Sequence, residues 1–157
     1  ALRCELHDAF TAGERAVEAL QALGEALIKG ASANAMRTWQ YPPAATSMDC
    51  GRYAQQAHEI ALATMPRLRT FLRELADVDA RVEEPIGTRL QTVRQNLLEK
   101  LRLDLLAHSE YENSTTFVGD AIQEIEGVFD ALNREGEASH ARTAQLEEAR
   151  RAAVEAA

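Results

Sequence analysis

Apolar residues recur at steps of three and four along most of this chain, the spacing of one face of an α-helix. Leu2, Leu6, Phe10, Val17, Leu20, Leu23, Leu27 and Ile28 share one such face, so residues 2–29 predict a long amphipathic helix. Gly30 is placed to end it, glycine being the residue that most easily takes the left-handed cap conformation. Residues 31–47 then predict a long irregular loop, in which Pro42-Pro43 forbids helix and Trp39 and Tyr41 stand beside the proline pair. Ser47 or Asp49 can cap a second helix, whose face is Tyr53, Ala57, Ile60, Thr64, Leu68, Phe71, Leu75 and Val78. Pro66 falls inside this pattern and predicts a kink.

Ile86, Leu90, Val93, Leu97, Leu101 and Leu105 form a third stripe, and Pro85 suits its first turn, where a missing N–H costs nothing. A break is therefore expected near residues 78–84. The apolar phase also runs on through Leu75, Val78, Val82 and Ile86, which leaves one kinked helix over 48–109 as the alternative. Tyr111 to Thr116 is polar and rich in capping residues, and Phe117, Ala121, Ile122, Ile125, Val128, Phe129 and Leu132 predict a fourth helix after it. From Asn133 to Ala157 the chain is mostly Ala, Glu and Arg, with Leu146 and Val154 its sizeable apolar residues. Such a segment has high helix propensity and almost nothing to bury. The expected fold is all-α: an antiparallel four-helix bundle with a long first loop and an extended C-terminal helix. Residues 1–132 make the bundle, and 133–157 make a polar extension that can continue the fourth helix.

Composition agrees with that class. Hydrophobic residues are 46% of the 157, aromatics are 5%, and eight glycines and four prolines are too few to punctuate a many-stranded sheet. The formal net charge of −8 repels a phosphate backbone, so nucleic acid is not an expected partner. The densest basic stretch, Arg67 to Arg73, is interleaved with Leu68, Phe71 and Leu72 and reads as a helix face. No apolar run approaches the roughly 20 residues of a membrane span. Localisation is left open: the cytoplasm is favoured, with a periplasmic or secreted setting as the alternative.

Candidate chemistry is sparse. Cys4, His7, Cys50 and His58 could nominally ligate zinc, but the second spacing is not that of a usual metal site, so two unrelated cysteines and scattered histidines explain them better. No metal and no cofactor is expected. A Cys4–Cys50 disulfide requires the loop to run back along the bundle and make the first two helices parallel. No nucleophile elbow, phosphate-cradling glycine loop or zinc-protease motif occurs. Glu-x-x-His pairs of the di-iron kind are also missing, and neither His58-Glu59 nor His108 near Glu110 has that spacing. The chain is therefore not expected to be an enzyme. Asn113-Ser114-Thr115 matches a glycosylation acceptor and equally supplies helix caps, which is the simpler reading. Trp39 and Tyr41 in the proline-stiffened loop, with His58, are the candidate residues for gripping a ligand or partner; the competing role for Trp39 is a lid over one end of the core.

The last stretch, Thr143-Ala-Gln-Leu-Glu-Glu-Ala-Arg-Arg-Ala-Ala-Val-Glu-Ala-Ala157, resembles the signalling helix before the dimerisation domain of sensor and hybrid histidine kinases. The resemblance covers about fifteen low-complexity residues. It implies a helix that passes a twist, shift or piston motion into a parallel coiled coil, and hence a homodimer through the C-terminal helix. The phosphorylated-histidine motif is missing, and His108 does not match it, so no catalytic residue carries over. The expected function is a non-enzymatic sensory or regulatory module that signals through its last helix to an output domain. The alternative is a protein–protein interaction module, such as an adaptor or secreted effector domain.

Overall fold

The computed structural model describes residues 2–39, 47–82, 85, 86 and 111–155. These are almost entirely helical, with no strand among them. Three helices pack together: α1 (Leu2–Trp39), α2 (Ser47–Asp79) and α3 (Tyr111–Glu155). α1 packs against both of the others and forms the spine.

The core follows a strict heptad rhythm. Buried positions on α1 fall at 6, 9, 13, 16, 20, 23, 27 and 30, alternating steps of three and four, with Ala12, Ala19 and Ala26 as a second row beside them. On α2 the buried row is Ala57, Ala61, Thr64, Leu68, Phe71, Leu75 and Val78, and on α3 it is Val118, Ala121, Ile125, Val128 and Leu132. A repeat of 3.5 residues is the seam of coiled-coil packing, in which each side chain seats among four from the facing helix. The doubled row on α1 is what a helix needs to face two neighbours. Much of it is Ala or Gly, so the larger residues of α2 and α3 supply the bulk.

α1 is tied to both partners along its length. Glu5 pairs with Arg81, Gly13 lies beside Phe71, and Ala19 faces Thr64 on α2. Phe10 stacks on Phe129, and Gly24 lies beside Val118 on α3. Thr64, the buried polar residue of this core, donates its hydroxyl to Ile60 O at 2.8 Å and points the same group toward Ala19 O at 3.4 Å.

Several boundaries differ from the sequence expectation. α1 does not stop at Gly30, which is buried within the helix, but continues to Trp39. One glycine costs a helix only about 1 kcal/mol, and the Ala-rich run after it restores propensity, so a glycine without a following proline is a weak stop. The long loop expected over 31–47 is therefore helix at both ends, and residues 40–46 lie outside the described part. Ile28, assigned to the core face by periodicity, is 54% exposed; the seam passes through Ala26, Leu27 and Gly30 instead. α2 runs unbroken through Pro66, whose ring sits on the exposed face.

α2 ends at Asp79, as the expected break near 78–84 requires, which excludes one helix over 48–109. Ala80 N donates to Ala76 O and Arg81 N to Val78 O, a tightened last turn that satisfies terminal carbonyls. The Asp79 carboxylate then accepts the backbone N–H of Ile86, closing the turn that carries Pro85. Beyond Ile86 the third predicted helix lies outside the described residues. α3 begins at Tyr111, so Asn113, Ser114 and Thr115 lie inside the helix and not ahead of its start, where the cap was expected. It continues through the polar stretch to Glu155 as one helix.

Candidate functional site

Two neighbouring features of α3 define the site. Its buried row stops at Leu132, and residues 135, 136, 138 and 139 are only half-buried against the first turns of α1. From His140 to Glu155 every residue is exposed, including Leu146 and Val154 at 71% each. Those sixteen residues span about 24 Å of helix with no buried position.

An open groove of about 910 Å³ lies where the support runs out. α1 contributes Arg3, Leu6, His7 and Phe10; α3 contributes Leu132, Asn133, Gly136, Glu137, Ser139, His140, Ala141 and Thr143. Helical spacing explains the set. Residues 3, 6, 7 and 10 step by three and four along one flank of α1, and 132, 136, 139 and 143 do so along α3. The floor is apolar, from Leu6, Leu132 and the half-buried Phe10, whose ring stacks on Phe129 with centroids 4.7 Å apart and planes at 34°. The rim is polar and carries the guanidinium of Arg3, the imidazoles of His7 and His140, and the carboxylate of Glu137. Arg3 and Glu137 share the groove without forming an ion pair; the ion pairs among the described residues are Arg73–Glu74, Arg81–Glu5 and Arg142–Glu135. The third of these lies along α3 itself, one heptad apart, beside the groove. A second, smaller concavity of about 510 Å³, lined by Ala12, Arg15, Glu18, Pro66, Arg67 and Thr70, opens between α1 and α2.

Of the binding and disulfide candidates singled out by the sequence, the side chains of Cys4 and His58 are described, and neither lines the groove. Trp39 is the last residue of α1, and its side chain and all of Tyr41 lie outside the described residues. His58 is exposed on α2, remote from the groove. Cys4 is an exposed free thiol near the α1 end of the Glu5–Arg81 contact. Cys50, in the first turns of α2, is thirty-one residues before Arg81 and so roughly 45 Å along the helix from that contact. Cys4 is a free thiol, and the side chain of Cys50, the other half of the expected bridge, lies outside the described residues. No group of three or more potential metal ligands occurs among the described residues.

Sequence reasoning missed the groove. His7 was visible only as a neighbour of Cys4, and His140 sits in a polar run with no motif. The available signal was the fading of the heptad row after Leu132, which marks where one helix face loses its partner. No described helix is long and apolar enough to cross a membrane. Comparison with known protein families, with curated proteins and with solved structures finds no match for the chain.

Proposed function

We propose that this chain is a non-enzymatic sensory or regulatory helical module that passes conformational change through its C-terminal helix to an output domain. The observation that carries the reading is the continuity of α3. One helix holds the buried row from Val118 to Leu132, the groove wall around Gly136 and the exposed run to Glu155. A change in how α1 and α3 pack at the groove is then a rotation or shift of the exposed run, because a helix transmits displacement along its axis. The device is a population shift between packings, and it needs a ligand or partner that binds one packing better.

The same reading takes the whole chain as four antiparallel helices, with residues 87–110 supplying the fourth. Support comes from the elements on either side. Arg81 lies at Glu5 and Val118 at Gly24, so the chain between them must travel the roughly 29 Å of α1 that separates those levels. A helix bearing the Leu90, Val93, Leu97, Leu101 and Leu105 stripe covers that distance.

The exposed run is expected to associate with a second copy through Leu146, Ala149 and Ala153, which share a face at steps of three and four. Sedimentation equilibrium tests this. The 157-residue chain is expected to dimerise with increasing concentration, and a chain ending at residue 140 to remain monomeric. A strict monomer at high concentration overturns the homodimer, and a stoichiometric complex with a different protein through the same residues favours the interaction-module alternative.

A further inference from the structure

We infer that the groove between α1 and α3 binds an amphipathic monoanion, an alkyl or aryl carboxylate whose chain lies over Leu6, Phe10 and Leu132 and whose head group meets Arg3. The inference names the ligand class for the site where the relay reading places its input. It stands on binding alone, so the two can fail separately.

The floor argues for an apolar chain. Leu6 and Leu132 line it as largely buried residues, and the Phe10 ring beside them stacks on Phe129. A pre-set aromatic surface binds without ordering cost. At about 910 Å³ the groove is within the range of small-molecule sites, though open along its length, which suits an extended chain. The rim argues for the sign and number of charges. Arg3 is always protonated and makes no ion pair among the described residues. His7 and His140 each offer an N–H whether neutral or charged. Against these stands one groove carboxylate, Glu137, in a chain whose net charge is −8. A cationic ligand would face Arg3, and an inorganic anion would leave the apolar floor in water. One permanent cation beside an apolar trough matches one carboxylate on a hydrocarbon chain.

The geometry supplies its own control. A Cβ built on Gly136 meets nothing within 4 Å, so a larger side chain there enters the groove without disturbing the bundle. Titration calorimetry of the whole chain with dodecanoate, dodecyltrimethylammonium and dodecanol, each below its aggregation limit, tests the inference. The expected result is saturable binding of one dodecanoate per chain, with the ammonium at least about tenfold weaker, as loss of a charge-assisted contact implies. Gly136→Leu is expected to abolish binding while leaving the melting temperature equal or higher, and Arg3→Glu to weaken it at least about tenfold. Equal affinity for the three head groups, unchanged binding in both variants, or no saturable binding overturns the inference. If dodecanoate binds as expected and a spin-label distance between Glu18→Cys on α1 and Glu148→Cys on α3, measured in a Cys4→Ser, Cys50→Ser background, does not change, the ligand class stands and the relay fails.

Discussion

Phe71 on α2 and Phe129 on α3 meet edge to face across the backbone of Gly13, with ring centroids 6.3 Å apart and planes at 61°. A Cβ at position 13 would sit 2.8 Å from Phe71 Cε2 and 2.9 Å from Phe129 Cζ, inside the closest contact real side chains make. Gly13 is thus the point at which all three described helices converge. Alanine normally gains a helix about 1 kcal/mol over glycine, but overpacking a dense core costs about 1–3 kcal/mol and here displaces two rigid rings. Gly13→Ala is expected to lower stability by about 1–2 kcal/mol in chemical denaturation. Gly127→Ala, where a Cβ meets nothing within 4 Å, is expected to raise it by up to about 1 kcal/mol. Equal signs for the two would remove the convergence at Gly13 as an explanation.

Thr64 tests whether the core polar contact stabilises the fold or is only tolerated. Its hydroxyl is satisfied within its own helix by Ile60 O, and the approach to Ala19 O at 3.4 Å is too long to contribute much. Thr64→Val keeps the shape and removes donor and desolvation cost together, so stability is expected to stay level or rise by up to about 1 kcal/mol. Thr64→Ser keeps the hydroxyl and loses a buried methyl, costing about 1 kcal/mol. A valine variant less stable than the serine one would mean that the hydroxyl does link α1 to α2.

The all-helical class and most of the core of α2 and α3 were legible because large apolar residues mark them: Leu68, Phe71, Leu75, Ile125, Val128 and Leu132 announce themselves at the helical period. α1 was harder to read. Its seam is Ala9, Ala12, Ala16 and Ala19 with Gly13 and Gly30, residues that also populate exposed helix, so periodicity drew the face through Ile28 and placed a stop at a glycine that packs inside. Small residues on a central helix are an imprint of the neighbours' bulk, and that is visible only once Phe71 and Phe129 are in place. The groove was illegible for a related reason, since His7 and His140 are 133 residues apart and only the packing of α1 against α3 sets them at one site.

Two contacts of unequal worth meet at the turn after α2 among the described residues. Asp79 accepts the Ile86 N–H in a partly buried setting, whereas the Glu5–Arg81 pair leaves the arginine side chain 50% exposed. A charge-assisted cap on a backbone donor is worth about 1–2 kcal/mol, and an ion pair open to solvent less than about 1 kcal/mol. Asp79→Ala is expected to destabilise more than Glu5→Ala, and only the effect of Glu5→Ala is expected to shrink at high salt. The reverse order in denaturant titrations would mean that the ion pair, not the Asp79 contact, fixes the turn after α2.

The exposed end of α3 sets a limit on what the relay can do. Residues 141–155 are all exposed, and an isolated segment of that length is marginal in water. It escapes the nucleation penalty because the helix is already formed by the packed turns from Val118 to Leu132. Opening is then expected to proceed from the C-terminal end, so amide exchange should be fast over 144–155, intermediate beside the groove and slowest over 118–132. Truncation after His140 is expected to remove helical ellipticity while moving the melting temperature by no more than about 2 °C, since surface residues contribute within about 0.5 kcal/mol each way. Leu132→Ala, by contrast, empties a buried site and should cost about 2–5 kcal/mol. A monomer that exchanges rapidly from residue 141 onward cannot carry torque over that stretch. On the proposed relay, dimerisation is therefore expected to slow exchange at 144–155, and exchange that stays equally fast on association would overturn a relay through the exposed run.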